Sequence, residues 1–242
     1  MQNEPVYRIR SVDHALHLAA ILAQEGSLSP SEAAERLGVA RSTAHRLLTM
    51  LVYRGFAEQD PDRRYRAGPV LRGARASEPV AELRRIALPH LRALTETVAE
   101  TTNAMVVDGE DVRFVASVEC THVLRVGERE GRVLPAHLVS GGRAVLAGLP
   151  EDEVRARYSR PDSPVTDLDA LLRDLRRFRR QGFAVNDGRT EEGLTAIGVA
   201  VPGPAGAALS IALPTARFRR DRLAGWVGEL TATAERIARE LG

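Results

Sequence analysis

The amino-acid sequence predicts two domains: an all-α domain that ends in a β-wing, followed by an α+β domain with an antiparallel sheet. Helical hydrophobic spacing fills most of residues 1–75 and ends in a hairpin signal. Beyond residue 100, strand patterns bounded by turn residues alternate with helical ones. The length of 242 residues suits one large domain or two small ones.

The composition is that of an ordinary globular chain, with 44% hydrophobic and 27% charged residues. A single cysteine, Cys120, excludes an internal disulfide framework and a cysteine-rich zinc module, and it fits a reducing compartment. No stretch approaches the ~20 apolar residues of a membrane span, and the first ten residues, MQNEPVYRIR, lack the apolar core of a signal peptide. We therefore expect a soluble, cytoplasmic protein with no membrane partner.

The positive charge is concentrated slightly towards the N-terminus. Residues 1–75 carry 11 Arg against 8 acidic residues, a net charge of +3, whereas residues 76–242 carry 23 against 24. All 34 basic residues are arginine, whose planar fork suits phosphates and guanine edges. Because lysine is absent from both halves, compositional bias explains the arginines equally well, and charge alone does not indicate a nucleic-acid partner.

Two helices are predicted at the start of the chain. Apolar residues follow helical spacing over 12–22, and Gly26 ends that run. The segment Ser29-Pro30-Ser31-Glu32 is a capping box with proline at the first helical position, and Gly38 ends the short helix that it opens.

A third helix and a hairpin complete the first domain. After a three-residue turn, the helix RSTAHRLLTMLVYRG places Ala44, Leu47, Leu48 and Leu51 on one stripe. The segments FAEQ and YRAG flank the turn DPDRR, in which Pro61 favours a turn and the neighbouring aspartates can cap it.

Two helices joined by a short turn that contains glycine form a helix-turn-helix, so the first domain is a winged helix-turn-helix. Polar residues crowd the N-terminal end of the third helix and its outer face, the part that enters the major groove in such motifs. The wing tip adds two arginines that suit phosphates. The candidate contacts to double-stranded DNA are Arg41, Ser42, Thr43, His45, Arg46, Thr49, Arg63 and Arg64. An amphipathic helix in a protein-interaction module has the same pattern, so that alternative stays open.

The second domain begins after the bridge 73–77 with an amphipathic helix over 81–100, in which Pro89 predicts a kink or a restart. A hairpin follows, with the turn GED between AMVVD and VRFVASV. Further helices are predicted at SGGRAVLAG, EDEVRARYS, DLDALLRDLRRFRRQG and 219–241, and further strands at FAVN, LTAIGVAVP and AALSIALP, the last two joined by the turn 202–206.

The segment Ser140-Gly141-Gly142-Arg143 is a candidate site for a small anion. A serine N-cap followed by two glycines predicts unblocked backbone N–H groups at a helix start, where a carboxylate or phosphate can bind. A second interpretation is that the glycines only permit a tight loop-to-helix turn, and the sequence does not decide between the two. The spacing of a nucleotide-binding phosphate loop is absent.

No motif of an enzyme is present: Gly-x-Ser-x-Gly, His-Glu-x-x-His and the dinucleotide-binding glycine pattern are all missing. Cys120, His122 and His137 lack the spacing of a metal site, and a lone cysteine at a strand end usually packs in the core. We therefore expect no catalysis, no metal and no cofactor. The rival classes are a binding or scaffold protein without a DNA function and an enzyme built on the second domain.

Assembly is also predicted from the sequence. One helix-turn-helix covers too little DNA for operator-level specificity, so paired half-sites and a homodimer are expected. The first helix carries apolar residues beyond one stripe, which suggests a second contact surface. Those residues are Leu18, Ala20 and Ile21, beside Leu16, Ala19 and Leu22.

Residues 10–69 (RSVDHALHL through YRAGP), with LGVARSTAHRLLTMLVYRGF as the specific part, resemble the winged helix-turn-helix of the IclR family of bacterial transcription regulators. The likeness continues through LRRIALPHLRALTETVAETTNAMVVDGEDVRFV, LPAHLVSGGRAVLAGLP and RRQGFAVNDGRTEEGLTAIGVAVPGPAGAALSIALP. The resemblance implies a DNA-binding domain over 1–72, a linker and connecting helix over 73–100, and a GAF-like effector-binding domain over 78–242. It also implies dimers, often tetramers, and operator binding controlled by a small organic acid or aromatic metabolite, as repressor or activator.

The resemblance also places an effector cleft in the second domain. By motif, the implied contacts are Val123, Val126, Leu134, Ser140, Gly141, Gly142, Asn186, Leu194, Ala196, Ser210 and Ala212. The sequence departs from the family pattern at Arg143, where lysine is usual, and in NDGRTEEG, where a run of acids is interrupted. Both departures concern the identity of the ligand rather than the existence of the cleft.

Overall fold

The computed structural model describes residues 9–25, 27–72, 78–203 and 206–242. The chain forms two compact units, Met1–Ala76 and Ser77–Gly242. The predicted helix end at Gly26, the bridge 73–77 and the middle of the turn 202–206 lie outside the described residues. Within the described ranges, no helix combines the length and the apolar character that a membrane crossing needs.

The first unit holds three main helices and a small antiparallel sheet of order β1-β3-β2. Its three helices and its hairpin are those predicted. The strand β1 and the helix α4 were not predicted, because two to four residues are too few to show a hydrophobic period. The elements are α1 (Arg10–Glu25), β1 (Ser27–Leu28), α2 (Pro30–Leu37), α3 (Arg41–Tyr53), β2 (Ala57–Gln59), β3 (Tyr65–Ala67) and α4 (Pro69–Arg72).

The buried face of α1 differs from the one that the sequence suggested. Leu18, Ile21 and Leu22 are buried in the core of the first unit, whereas Val12 and Leu16 are exposed. Both sets follow helical spacing, so the pattern alone could not identify the inner one. The surplus apolar surface therefore lies on the opposite side of the helix from Leu18 and Ile21.

The second unit contains a six-stranded antiparallel sheet of order β6-β5-β4-β9-β8-β7. Its elements are α5 (Glu78–Val98), β4 (Thr101–Asp108), β5 (Asp111–Val118), β6 (Val133–Pro135), α6 (Ser140–Gly148), α7 (Glu151–Tyr158), α8 (Leu168–Gln181), β7 (Ala184–Asp187), β8 (Leu194–Ala200), β9 (Ala207–Pro214), a 3-10 turn (Thr215–Arg217) and α9 (Arg220–Leu241).

The sheet lies between two helical layers, with α5 and α9 on one face and α6 on the other. Alternate residues of β9 show the division. Leu209, Ile211 and Leu213 pack towards α5 and α9, while Ala208 and Ser210 point to the α6 side. Strand β9, which is buried along its whole length, and strand β8, which is buried except at Ala200, are therefore covered on both faces.

Helix α5 runs without interruption through Pro89, so the predicted restart there was wrong. Proline removes one backbone hydrogen bond from a helix. Leu83 and Ile86 before it, and Leu91 and Leu94 after it, are all buried in the same core. Burial of apolar side chains on both sides outweighs the lost hydrogen bond.

Candidate functional site

Helix α2 is fixed at both ends by local chemistry. Ser29 and Glu32 form the predicted capping box: the Glu32 amide donates to Ser29 Oγ at 3.2 Å, and the Ser29 amide donates to Glu32 Oε2 at 2.6 Å. The bond from the Ser29 amide is the main cause that lowers the pKa of Glu32 below its usual value. Gly38 then takes φ +63°, a conformation that glycine adopts without strain, and the chain turns directly into α3.

Helix α3 buries one face and exposes the other. Ala44, Leu48 and Leu51 are buried against the first unit's core. The predicted DNA-contacting side chains of this helix are all exposed, namely Arg41, Ser42, Thr43, His45, Arg46 and Thr49. Two of them make contacts of their own: Thr49 Oγ1 donates to the His45 carbonyl at 2.8 Å, and the His45 ring meets Tyr65 edge-on at a centroid distance of 6.5 Å.

The two arginines of the wing tip have different environments. Arg63 takes φ +60° in a turn closed by Asp60, whose carboxylate accepts a hydrogen bond from the Arg64 amide at 2.8 Å. The Arg63 side chain is exposed. The Arg64 guanidinium instead donates to Glu32 at 3.0 Å and to Ser27 Oγ at 3.3 Å. Arg64 therefore attaches the wing to the start of α2, and Arg63 is the more available of the two.

The start of α3 and the wing enclose an open groove of about 470 Å³. The lining includes three of the predicted arginines and one aspartate, so the formal charge of its ionised side chains is positive. This is the electrostatic character that a phosphate backbone requires. The groove is lined by Ser29, Pro30, Ser31, Arg41, His45, Gln59, Asp62, Arg63 and Arg64.

The second unit contains a small cavity of about 20 Å³ on the α6 side of the sheet, which is room for about one water molecule. Its mixture of apolar and buried polar groups is typical of small-molecule pockets, although its size is well below theirs. Seven of the predicted effector contacts line it: Leu134, Ser140, Asn186, Leu194, Ala196, Ser210 and Ala212. The sequence reading missed Asn103, Phe114, Arg129, Val139 and Thr190.

The polar groups of this cavity are buried, and most of them are paired. Asn103 Nδ2 donates to Ser210 Oγ at 3.3 Å. Asn186 holds its own loop, because its Nδ2 donates to Thr190 Oγ1 at 2.9 Å and its Oδ1 accepts the Arg189 amide at 3.0 Å. In contrast, Ser140 Oγ is buried and has no hydrogen-bond partner within the described part of the chain. It is therefore the polar group that a ligand would satisfy.

The cavity also has a charged wall. Arg129 is almost wholly buried, and its two terminal nitrogens donate to the two carboxylate oxygens of Glu191 at 3.0 and 2.8 Å. Arg132 donates to the same carboxylate at 3.2 Å. These interactions, led by the hydrogen bonds from Arg129, lower the pKa of Glu191.

The start of α6 differs from the prediction. Val139 is the N-cap residue, and Ser140 is the first helical residue, so Ser140 does not cap the helix. The glycines do not leave the backbone open: a side chain at Gly141 would overlap Met105, and one at Gly142 would overlap Ala136 and Val112. Gly141 and Gly142 do not line the cavity. The structure thus supports the packing interpretation of these glycines over an anion site.

The opposing strand shows the same close contact. A Cβ atom at Gly198 of β8 would overlap the backbone of Ser140 and Gly141. The absence of a side chain there lets the first turn of α6 lie directly on the sheet. Because of this close packing, strand β8 covers the backbone of Ser140 and Gly141, and the Ser140 side chain lines the cavity.

Arg143 is a structural residue in this fold. Its side chain is 1% exposed, donates to Asp174 of α8 and lies over the Phe178 ring at 4.7 Å from the centroid. Burial lowers the pKa of Arg143 below its usual value. Since Arg143 does not line the cavity, the change from the usual lysine does not alter the groups that face a ligand there.

The apolar residues predicted for the effector cleft separate into two groups. Val126 is buried in a cluster with Leu194, Ala196 and Ala212, three residues that line the cavity. Val123 is 99% exposed and lies away from the lining. Val123, which the resemblance implied as a contact, is therefore not part of this cavity.

Two family models match the chain in order. The IclR helix-turn-helix domain matches residues 11–61, and the bacterial transcriptional regulator IclR C-terminal domain matches residues 78–239. The chain belongs to the IclR family. Curated IclR-family relatives cover it almost from end to end. The regulator BhcR of Paracoccus denitrificans is 31% identical to this chain, and the match covers 95% of this chain and 86% of BhcR. The transcriptional repressor IclR of Escherichia coli is 29% identical, and the match covers 97% of this chain and 89% of that repressor.

Solved IclR structures share the fold of the whole chain. A regulator from Rhodococcus superposes with a TM-score of 0.66 at 28% identity, covering 97% of this chain and 98% of its own. An IclR homologue from Microbacterium hydrocarbonoxydans, solved in complex with 4-hydroxybenzoate, gives a TM-score of 0.60 at 27% identity and covers 96% and 98%. The resemblance to the IclR family is thus confirmed, as are the helix-turn-helix and the α+β domain.

The family settles the class of function. The chain is a DNA-binding, ligand-responsive transcription regulator, and its IclR relatives are regulators rather than enzymes. Among the described residues, His, Cys, Asp and Glu form no cluster suited to a metal ion. Cys120 is buried beside Thr101 and Glu100.

Proposed function

We propose that the outer face of α3 reads an operator in the major groove while Arg63 contacts its phosphates. The observation that supports this assignment is the groove that joins the N-terminal end of α3 to the wing, with exposed arginines on both of its sides. Arg41 and Arg46 are the candidates for guanine edges. Because the regulator works on the chromosome, we place it in the cytoplasm.

The effector in this proposal is a small carboxylate or aromatic acid that binds at the cavity on the α6 side of the sheet and widens it on entry. The unsatisfied Ser140 hydroxyl and the buried Arg129 supply polar contacts. Leu194, Ala196 and Ala212 supply an apolar wall. The structural neighbour that carries 4-hydroxybenzoate supports this ligand class.

The regulator acts as a homodimer, with a tetramer as the larger assembly. Val12 and Leu16 lie at helical spacing on α1, Ile9 directly precedes the helix, and all three are exposed, with Leu16 at 63%. A stripe of large apolar side chains on a helix that already has a buried face suggests a partner helix. Leu18 and Ile21, which the sequence indicated for this contact, are instead buried in the core of the first unit.

An affinity selection from random duplexes, followed by anisotropy titrations, tests the DNA assignment. Arg46→Ala should weaken the selected duplex by roughly 5- to 150-fold and relax its sequence preference, because a base contact is worth about 1–3 kcal/mol. Arg63→Ala should weaken selected and random duplexes alike. Arg54→Ala, at the C-terminal end of α3, is the matched control. If Arg46→Ala and Arg63→Ala both bind like the parent protein, the interface has been placed wrongly.

A further inference from the structure

The pair of Arg129 and Glu191 is asymmetric in its exposure to water. The Arg129 side chain is 7% exposed and lines the cavity, whereas the Glu191 side chain is 47% exposed. Glu191 belongs to the loop between β7 and β8. The carboxylate can therefore return to water at little cost, but a buried guanidinium left without an anion would be strongly unfavourable.

The buried guanidinium of Arg129 is already arranged as a carboxylate site. Its two terminal nitrogens donate to the two oxygens of Glu191 at 3.0 and 2.8 Å. The Arg129 backbone is fixed as well, because its amide donates to Ser117 Oγ at 3.2 Å. A planar fork held in place suits the two oxygens of a carboxylate.

We propose that Arg129 is the carboxylate-binding residue of the cavity and that Glu191 is an internal substitute, which an incoming monocarboxylate displaces. This inference rests on the proposed function, since it needs an effector in this cavity. The ligand carboxylate takes the place of the Glu191 carboxylate on the Arg129 fork. The apolar part of the ligand then lies against Leu194 and Ala196, and the unpartnered Ser140 hydroxyl is a further donor.

A purely structural pair would behave differently. If the bond between Arg129 and Glu191 served only to hold the loop, removal of the Glu191 charge would loosen the loop and leave ligand affinity unchanged or weaker. If Glu191 competes with the ligand, the same change must strengthen the binding of an acid. It must not strengthen the binding of an uncharged molecule of the same shape.

Calorimetric titration of the full chain with 4-hydroxybenzoate and with 4-hydroxybenzamide separates these cases. We expect the parent protein to prefer the acid. Glu191→Gln should raise its affinity for the acid by roughly tenfold or more, because a competing charge-assisted pair is removed. Arg129→Gln should abolish the preference for the acid over the amide. The controls are Glu192→Gln, with the same charge change on the same loop, and Arg132→Gln, which loses a bond to Glu191 outside the cavity lining.

The outcomes distinguish this inference from the function on which it rests. The inference is overturned if the parent protein binds the acid but Glu191→Gln gains nothing, or if Arg129→Gln keeps the preference for the acid. The proposed effector class survives that result. If the parent protein binds no acid and its DNA affinity does not change with 4-hydroxybenzoate, the proposed effector class fails and the inference fails with it. Glu191→Gln keeps an amide oxygen that can accept a hydrogen bond from Arg129, so it remains informative even if Arg129→Gln does not fold.

Discussion

At the scale of single residues, the close contact between Gly198 and the first turn of α6 determines where the cavity wall lies. We predict that Gly198→Ala destabilises the second unit by about 1–3 kcal/mol, because the added methyl group overlaps the backbone of Ser140 and Gly141. Gly225→Ala is the matched control. Nothing lies within 4 Å of a Cβ atom at that helical position, so it should stabilise the protein by about 0.5–1 kcal/mol. Chemical denaturation measures both, and equal effects would contradict the packing argument.

A second residue-level prediction concerns the buried cation of α6. Asp174→Asn removes the carboxylate that faces Arg143 and should cost about 3 kcal/mol of unfolding free energy, because it leaves a buried guanidinium without its anion. Asp169→Asn on the same helix removes only a surface partner of Arg155 at 3.4 Å, and it should cost less than about 1 kcal/mol. Similar denaturation midpoints for the two variants would show that Arg143 does not depend on Asp174.

The family resemblance identified site residues where a motif covers them, and it missed them elsewhere. It implied Ser210 and Ala212, which stand on alternate positions of a strand and therefore lie on one face. Arg129 lies in an irregular segment between β5 and β6, where no period predicts the direction of a side chain. The free Ser140 hydroxyl results from a one-residue difference in the helix start, and helix boundaries are poorly determined by sequence.

At the scale of elements, helix α1 has a second apolar stripe that its own domain leaves exposed. We predict that Leu16→Glu converts the dimer into a monomer, because an unpaired carboxylate in an apolar contact costs about 3 kcal/mol, roughly a 100-fold rise in the dissociation constant. His17→Glu adds the same charge beside the stripe and should leave the assembly unchanged. Sedimentation velocity at micromolar concentration distinguishes them. An unchanged sedimentation coefficient for Leu16→Glu would place the dimer contact elsewhere.

Element types were predictable because each has a long period or a clear stop signal, as in α3 and in the hairpin of β4 and β5. The choice of the buried face was not predictable where two stripes compete. On α1, Leu16 and Leu18 are equally apolar, and only packing against Leu48 and Tyr65 in the core decides which side turns inward. The continuation of α5 through Pro89 was not predictable from the sequence either. It depends on tertiary packing, because the apolar residues on both sides of Pro89 are buried.

At the scale of the whole molecule, a regulator must couple two sites by a free energy that works in both directions. Helix α5 is the first element of the second unit, so any signal carried along the chain to the DNA-binding unit passes through it. If 4-hydroxybenzoate changes operator affinity by a given factor, operator binding must change the affinity for 4-hydroxybenzoate by the same factor. A typical coupling of about 1–3 kcal/mol corresponds to roughly 5- to 150-fold.

Filling the cavity should remove this coupling and leave operator binding in place. Ala212→Leu adds side-chain atoms at a lining position, whereas Ala156→Leu adds them at an exposed position of α7 and serves as the control. Anisotropy titrations with labelled operator, with and without 4-hydroxybenzoate, should show a response in the parent protein and in Ala156→Leu. Ala212→Leu should bind the operator with unchanged affinity and give no response. A ligand shifts an equilibrium only if it binds one of the two states better than the other, and a filled cavity cannot bind it. A normal response from Ala212→Leu would therefore mean that the effector binds outside this cavity.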